Sequence, residues 1–300
     1  MLVGCSMDQK PTEIIVQGHR GCRGLLPENT MEAFLHATKM GVSTLEMDVV
    51  LSADGRVVVS HEPFMSAEIC LTPDLQPIVQ EEQMAHNIFE MSADSAKAYD
   101  CGAKGNARFP DQKPMVGAHK PLLTEVVEQV KATCKAEQRE VPFFNIEIKS
   151  RPEWVGIYHP DAEEYVRMFL AALKSLDIDA LTTVQSFDPA VLNNLVIEAP
   201  ALRLVYLSED AEQHHLSKLA ELASKPYGYS VNFEMATSEL VSYCRENDIH
   251  LSVWTVNEVS DMERMLDLGV RDIITDYPDR LLALTKAKKL VAKTSGVRVR

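Results

Sequence analysis

Residues 14–48 read IIVQGHRGCRGLLPENTMEAFLHATKMGVSTLEMD, and the order of patterns in this stretch decides the fold. A short β-rich run, Ile14–Gln17, leads into the turn Gly18-His19-Arg20-Gly21. Apolar side chains then recur at helical spacing over Met31–Met40, with Asn29 or Thr30 as the cap, and a second β-rich run follows at Ser43–Asp48. The same alternation continues outward. Further β-rich runs fall at Phe143–Ile148, Leu181–Gln185, Arg203–Leu207, Tyr227–Val231, His250–Thr255 and Asp272–Thr275. Between them lie helical patterns at Leu122–Lys135, Tyr165–Leu176, Leu192–Ile197, His215–Ala223, Leu240–Asn247 and Met262–Leu268, and a last one covers about Asp279–Lys289. Asp188-Pro189 opens one of these helices with proline in its first turn. Eight strand–helix repeats predict an α/β protein, a (β/α)8 TIM barrel. A doubly wound sheet is the alternative, but no glycine-rich dinucleotide fingerprint follows the first run.

Two irregularities interrupt the repeat. Across Val49–His61, Ala53-Asp54-Gly55 marks a tight turn between apolar runs, which predicts a β-hairpin after the second strand. Residues 62–121 lack sustained periodicity and are rich in Pro, Gly, Asp and Lys, so they are expected to form a small inserted subdomain or a lid over the barrel mouth. The expected organisation is a tail over 1–12, the barrel over 13–290 with its insertion at 62–121, and a C-terminal tail over 291–300.

The 300 residues are 46% hydrophobic and 25% charged, ordinary for a water-exposed globular chain able to bury a sizeable core. Acidic residues outnumber basic ones 44 to 30, a formal net charge of -14. That balance argues against a nucleic-acid partner and against electrostatic docking on anionic lipid. No stretch approaches the ~18 apolar residues of a transmembrane helix. The six cysteines form no CxxC pair, which argues against a zinc ribbon or a thioredoxin-type site; Cys70 and Cys101 are candidates for a disulfide in an oxidising compartment. Leu2-Val3-Gly4-Cys5-Ser6 matches the end of a bacterial lipoprotein signal, without the basic and apolar regions that should precede it. Cys5 is therefore a candidate lipid anchor if the protein is exported, with a periplasmic or lipoprotein location expected and a cytoplasmic one as the alternative.

In a TIM barrel, chemistry sits at the C-terminal ends of the strands. His19 and Arg20 directly follow the first strand. Glu46 and Asp48 close the second at i, i+2 spacing, which aims both carboxylates to one face. Glu147 and Lys149 repeat that spacing at the third. Folding the hairpin back about Asp54 returns His61 beside Met47 and Asp48, on the same rim. Three converging carboxylates repel unless a cation lies between them, and all-oxygen ligation suits Mg²⁺ or Ca²⁺ better than zinc. Such an ion, with Arg20 and Lys149, suits an anionic phosphodiester, while two imidazoles can divide proton transfer to and from the reacting oxygens. Trp254, near the end of the seventh strand, is either upper-layer barrel core or a substrate contact. Gln185 and Ser186 end the fourth strand, where they would orient substrate or the Glu147 carboxylate.

Taken singly, these pieces mean little. A His-Arg-Gly after a strand is ordinarily a turn, and a Glu-x-Asp pair is ordinarily solvated or salt-bridged. Their convergence on one rim separates the functional reading from a purely structural ion-pair network. A non-catalytic binding barrel would be expected to lack an acid–base group, yet His19 and His61 are both present. A metal-dependent barrel lyase or isomerase remains an alternative use of the same carboxylates.

At these residues the chain closely resembles the glycerophosphodiester phosphodiesterase family of bacteria. The likeness rests on His19-Arg20-Gly21, Pro27-Glu28-Asn29-Thr30, Glu46-Met47-Asp48-Val49, Asp54-Gly55 and Val58-Val59-Ser60-His61. It continues through Ile146-Glu147-Ile148-Lys149, Gln185-Ser186-Phe187, Val253-Trp254-Thr255-Val256-Asn257 and Ile274-Thr275-Asp276-Tyr277-Pro278, from about residue 14 to 285. The resemblance implies a barrel that hydrolyses small glycerophosphodiesters, the deacylated phospholipids, to glycerol 3-phosphate and an alcohol. It implies that His19 and His61 are the acid–base pair, that Glu46, Asp48 and Glu147 hold the metal, and that Arg20 and Lys149 contact phosphate. One departure is Glu62, where the family usually has Asp after its second histidine. The long, partly acidic insertion also leaves open larger lipid or polymeric glycerophosphate diesters as substrates.

Overall fold

A computed structural model of the chain describes residues 13–209 and 215–299; Cys5 lies outside the described residues. In chain order the elements are β1 (Glu13–Gly18), α1 (Met31–Met40), β2 (Thr44–Leu51), β3 (Val57–Val59), α2 (Ala93–Lys97), α3 (Leu123–Ala136) and β4 (Phe143–Ile148). There follow α4 (Ala162–Leu176), β5 (Thr182–Ser186), α5 (Pro189–Glu198), β6 (Arg203–Ser208), α6 (His215–Leu219) and β7 (Gly228–Asn232). The last are α7 (Ser238–Glu246), β8 (His250–Trp254), α8 (Val259–Leu268), β9 (Asp272–Thr275), α9 (Pro278–Ala287) and β10 (Val291–Ala292).

Eight of these strands pair in parallel in the order β1-β2-β4-β5-β6-β7-β8-β9, and β9 pairs back onto β1 with Val16 opposite Ile273, so the sheet closes into the expected barrel. Every residue of β2 is buried, as a strand covered on both faces requires, and its run Thr44–Leu51 is apolar or β-branched except at the carboxylates Glu46 and Asp48. Helix α1 begins where the Thr30 hydroxyl accepts the Ala33 N–H, and it ends at Gly41 in the left-handed conformation (φ 87°). Asp188 caps α5 ahead of Pro189. The main core lies between barrel and helices, where Phe34, Phe144, Tyr165 and Phe169 are fully buried; side chains of this size each contribute about 1.5–3 kcal/mol by leaving water.

The hairpin forms in the predicted register. Val49 stands opposite Val59, and the Ser60 N–H donates to the Asp48 carbonyl at 2.9 Å. Residues 62–121 pack against its outer side around a second core of Val50, Val58, Met65, Cys70, Ile88 and Leu122, with Cys70 and Cys101 joined as a disulfide. Both ends of this insertion lie at β3: it leaves after His61, and on its return the Val59 N–H donates to the Pro121 carbonyl. Residues 291–299, expected as a tail, instead extend the barrel floor. There β10 pairs with the start of β1, and the Val141 N–H donates to the Val297 carbonyl. Only a short edge of β1 is open for such pairing, and the polar 291–300 segment gives no periodicity from which it could be read. Among the described residues no helix is long and apolar enough to cross a membrane.

Candidate active site

The loop after β1 is built around close backbone approach. A Cβ on Gly18 would fall 2.1 Å from the Gly21 carbonyl oxygen, and Gly21 itself sits at φ +86° against Ala33. Arg20 between them is also left-handed (φ 49°), which turns its N–H onto Glu46 Oε2 at 2.9 Å. His19 lies at the top of the barrel, with its N–H on the Thr275 carbonyl. Its Nδ1 meets Asp276 Oδ1 at 2.7 Å, and its Nε2 lies 4.0 Å from Glu46 Oε2. An ionised carboxylate can only accept, so Nδ1 carries the proton and Nε2 faces the site as the basic nitrogen. Burial drives the His19 pKa down to about 4, only partly opposed by Asp276. His61 repeats the pattern: its Nδ1 meets Glu62 Oε1 at 2.7 Å, and burial followed by the Arg20 and Lys149 charges lowers its pKa. The His61 side chain is the more open of the two, 31% exposed against 11% for His19.

Carboxylate oxygens of Glu46, Asp48 and Glu147 lie within 4.8 Å of one another, all three buried. Each is held from one side. Gln185 Nε2 donates to Glu46 Oε1 (3.0 Å), Asn29 Nδ2 to Asp48 Oδ2 (2.8 Å), and Lys149 Nζ to Glu147 Oε1 (2.7 Å). Asp48 Oδ1 is buried with no hydrogen-bond partner among the described residues, the Lys149 Nζ standing 3.9 Å away. Burial, with the neighbouring carboxylates, pushes Glu46 up and Glu147 up to about 7. Asp48 is held low against its burial by Arg20, His61 and Lys149. An unpartnered carboxylate oxygen, and acids driven toward protonation by each other's charge, are what a buried oxygen-donor cation site looks like, so the residues fit a hard divalent ion.

These groups border a cavity of about 510 Å³ at the C-terminal face of the barrel. Both histidines, Arg20, Glu46, Glu147, Lys149 and Trp254 line it, so the structure brings the sequence-derived candidates to one place; Asp48 adjoins them at the cluster. Phe64 from the insertion, Trp154, and Phe187 edge-on to Trp254 at 5.7 Å form the apolar wall. The Trp254 indole N–H finds no acceptor among the described residues. Gln185 bonds Glu46 rather than Glu147, and Ser186 braces β4 by donating to the Ile148 carbonyl.

Sequence reasoning gave no role to Asp276, Arg23 or Glu28, and read Asn29 only as a candidate helix cap. Asp276 is fully buried, and its two oxygens also take a bidentate Arg23 (2.7 and 3.0 Å) and Asn257 Nδ2 (2.8 Å). Glu28 accepts from Arg20 Nη1 at 2.6 Å and lies 3.9 Å from Arg23, so the Arg20 side chain is anchored as well as charged. The available signals were the segments Pro27–Thr30 and Ile274–Pro278, each notable for likeness but silent on which side chains they would meet.

The model of the glycerophosphoryl diester phosphodiesterase family matches residues 19–280. A glycerophosphodiester phosphodiesterase of Caldanaerobacter subterraneus subsp. tengcongensis is 30% identical over 91% of this chain and 98% of its own length. One from Bacillus altitudinis is 29% identical over 90% of this chain and 98% of its own. A solved structure from Silicibacter pomeroyi, which carries the glycerophosphoryl diester phosphodiesterase name, superposes with a TM-score of 0.83 at 30% identity, covering 95% of this chain and 97% of that one.

Proposed function

This chain belongs to the glycerophosphoryl diester phosphodiesterase family and is a phosphoric diester hydrolase, and from that premise we propose that it cleaves small glycerophosphodiesters to glycerol 3-phosphate and an alcohol by acid–base catalysis between His19 and His61. One observation carries the reading. Each imidazole is tied at Nδ1 to its own carboxylate, Asp276 or Glu62, and both rings border the cavity that holds the three-carboxylate cluster.

Glu46, Asp48 and Glu147 would hold the divalent metal, Mg²⁺ or Ca²⁺. When bound, such an ion neutralises the charge that builds on phosphodiester oxygens in the transition state. Lys149 and Arg20 add fixed positive charge against the phosphate. His19, neutral and buried beside the cluster, takes the proton from the nucleophile, and Asp276 stabilises the imidazolium that results. His61, nearer solvent and backed by Glu62, takes up a proton from solvent at Nε2, with Glu62 supporting the imidazolium, and passes it to the departing alcohol. The proton held by His19 returns to solvent. The rings of Trp254, Phe64, Trp154 and Phe187 contact the substrate's glycerol and headgroup. The Cys70–Cys101 disulfide supports the exported location over the cytoplasmic one, since such bonds persist in oxidising compartments; a free-thiol count on protein taken directly from its compartment tests this.

The test of function is glycerol 3-phosphate release from glycerophosphocholine and glycerophosphoethanolamine, with and without chelator, alongside His19→Ala and Glu46→Ala. Metal-dependent release abolished in both variants is the expected result. No release from either diester with metal supplied rejects the small-substrate reading and moves attention to larger lipid or polymer diesters.

A further inference from the structure

The interior of this barrel is not filled with the branched aliphatic layers usual for the fold. Along its axis runs a chain of buried polar side chains that connects the rim to the floor. Gln185 Nε2 donates to Glu46 Oε1 at 3.0 Å, and Gln185 Oε1 accepts from Asn145 Nδ2 at 3.0 Å. The second Asn145 Nδ2 hydrogen goes to Gln17 Oε1 at 2.9 Å, and Gln17 Nε2 donates to Asp272 Oδ1 at 2.7 Å. Asp272 Oδ2 in turn meets His250 Nε2 at 2.7 Å, where the His250 ring stacks on Tyr227 at the floor. Gln17, Asn145, Gln185 and Asp272 are each no more than 4% exposed.

The direction of this chain is forced by its ends. When Glu46 is ionised, as a cation ligand must be, it and Asp272 can only accept, so both glutamines must turn their NH₂ groups outward and their carbonyls toward the centre. Asn145 must then donate both ways, which leaves its own Oδ1 buried without a hydrogen-bond partner among the described residues. No member can turn its amide without breaking two bonds.

We propose that Asn145, Gln17 and Asp272 are positioning residues which, through Gln185, hold the Glu46 carboxylate in the orientation that binds the cation. The proposal rests on the reading of Glu46 as a metal ligand. It assigns function to groups on the far side of the barrel that touch neither substrate nor ion. Removing the outer-sphere partner of a ligand typically weakens metal affinity about 10–100-fold.

The experiment is calorimetric titration of the purified full chain with Ca²⁺ and Mg²⁺, read as Kd well below each variant's melting temperature. Gln185→Leu and Asn145→Leu are expected to weaken binding by about tenfold or more, and the double variant to be no weaker than Gln185→Leu alone. Asn145→Asp is the sharper test and nearly preserves shape. It sets an acceptor where two carbonyls already converge, so Gln185 must turn its carbonyl toward Glu46 and the cation binds more weakly. Plain electrostatics predicts the reverse, because a negative charge has been added near a cation. Tighter or unchanged binding in Asn145→Asp, or Asn145→Leu unchanged beside a weakened Gln185→Leu, overturns the relay. Glu46→Gln separates the two ideas. If the wild type binds and Glu46→Gln does not, the ligand reading stands and only the relay is at issue. If the wild type binds neither ion, both fall together.

Discussion

Replacing Asp276 by Asn tests the proposed chemistry at its most buried point. The carboxylate takes four hydrogen bonds: from His19 Nδ1 (2.7 Å), Arg23 Nε (2.7 Å), Arg23 Nη2 (3.0 Å) and Asn257 Nδ2 (2.8 Å). An amide offers one acceptor oxygen and one donor in their place. With its oxygen toward His19, its NH₂ confronts Arg23 Nη2 and Asn257, both donors. Turned round, it donates to His19 Nδ1 and moves the ring proton to Nε2, where the base should be empty. A wrong tautomer in an acid–base site costs about 10²–10⁴ in rate, on the order of 3–5 kcal/mol in the barrier. Stability falls as well, by about 3–5 kcal/mol where a buried charge loses its partner, though Glu28 at 3.9 Å from Arg23 softens this. The assay is kcat and KM for diester hydrolysis at saturating metal, with circular dichroism to select temperatures at which the variant is folded. The loss should fall on kcat, and Asp276→Asn combined with His19→Ala should be no worse than His19→Ala alone. A folded Asp276→Asn protein with kcat near wild type would refute the reasoning, as would losses that simply add.

Three further outcomes are expected. Burial and the neighbouring Asp48 charge push Glu147 up to about 7 and raise Glu46 as well, so both favour bound protons that a cation must displace. Stabilisation by added Ca²⁺ or Mg²⁺ in thermal melts should therefore be large at and above pH 7 and shrink toward pH 4.5, and a shift independent of pH in that window contradicts the cluster's role. With an aryl diester, whose phenolate leaves without protonation, His61→Ala should recover much of the rate it loses on an alkyl diester while His19→Ala does not; equal loss on both substrates reverses or removes the assigned roles. Glu62→Gln should lower kcat less than Asp276→Asn, because the Glu62 side chain is 29% exposed and solvent supports its histidine, whereas Asp276 is fully buried; the opposite ranking in parallel kinetics counts against that account.

The barrel was legible because its signals are local. Alternation of β-rich runs and helical periodicity needs no knowledge of distant residues, and all eight barrel strands formed where that alternation put them. The hairpin was legible too, since a turn at Asp54 fixes which residue of one strand faces which of the other, and so His61 could be placed beside Asp48. The partners of these groups were another matter. Asp276 lies more than 250 positions from His19, and closure of β9 onto β1 is what joins them. Gln17 and Asn145 sit inside runs that read simply as strand. Which inward-facing side chains meet on a barrel axis depends on the stagger of the closed sheet, a property of all eight strands at once. The insertion's own core was hidden for a different reason: its short 3₁₀ turns and single five-residue helix give no sustained period to detect.

The hairpin and the insertion together divide the molecule into a part that tolerates drift and a part that does not. Adding or deleting one residue between Asp48 and His61 would turn the histidine to the opposite side of the ribbon, so chain length in that interval is effectively quantised. Immediately after His61 the constraint ends. The chain departs for sixty residues and comes back to the same strand at Pro121, both ends anchored at β3. Lengthening such an anchored excursion costs little, roughly 0.6 kcal/mol per doubling of a flexible loop. It also carries Phe64 to the cavity wall. Under the proposed chemistry, a lineage or an engineer can therefore rewrite the cavity wall that Phe64 supplies while the reacting groups keep their register, and grafting other insertions between His61 and Pro121 is the natural route to altered substrate preference.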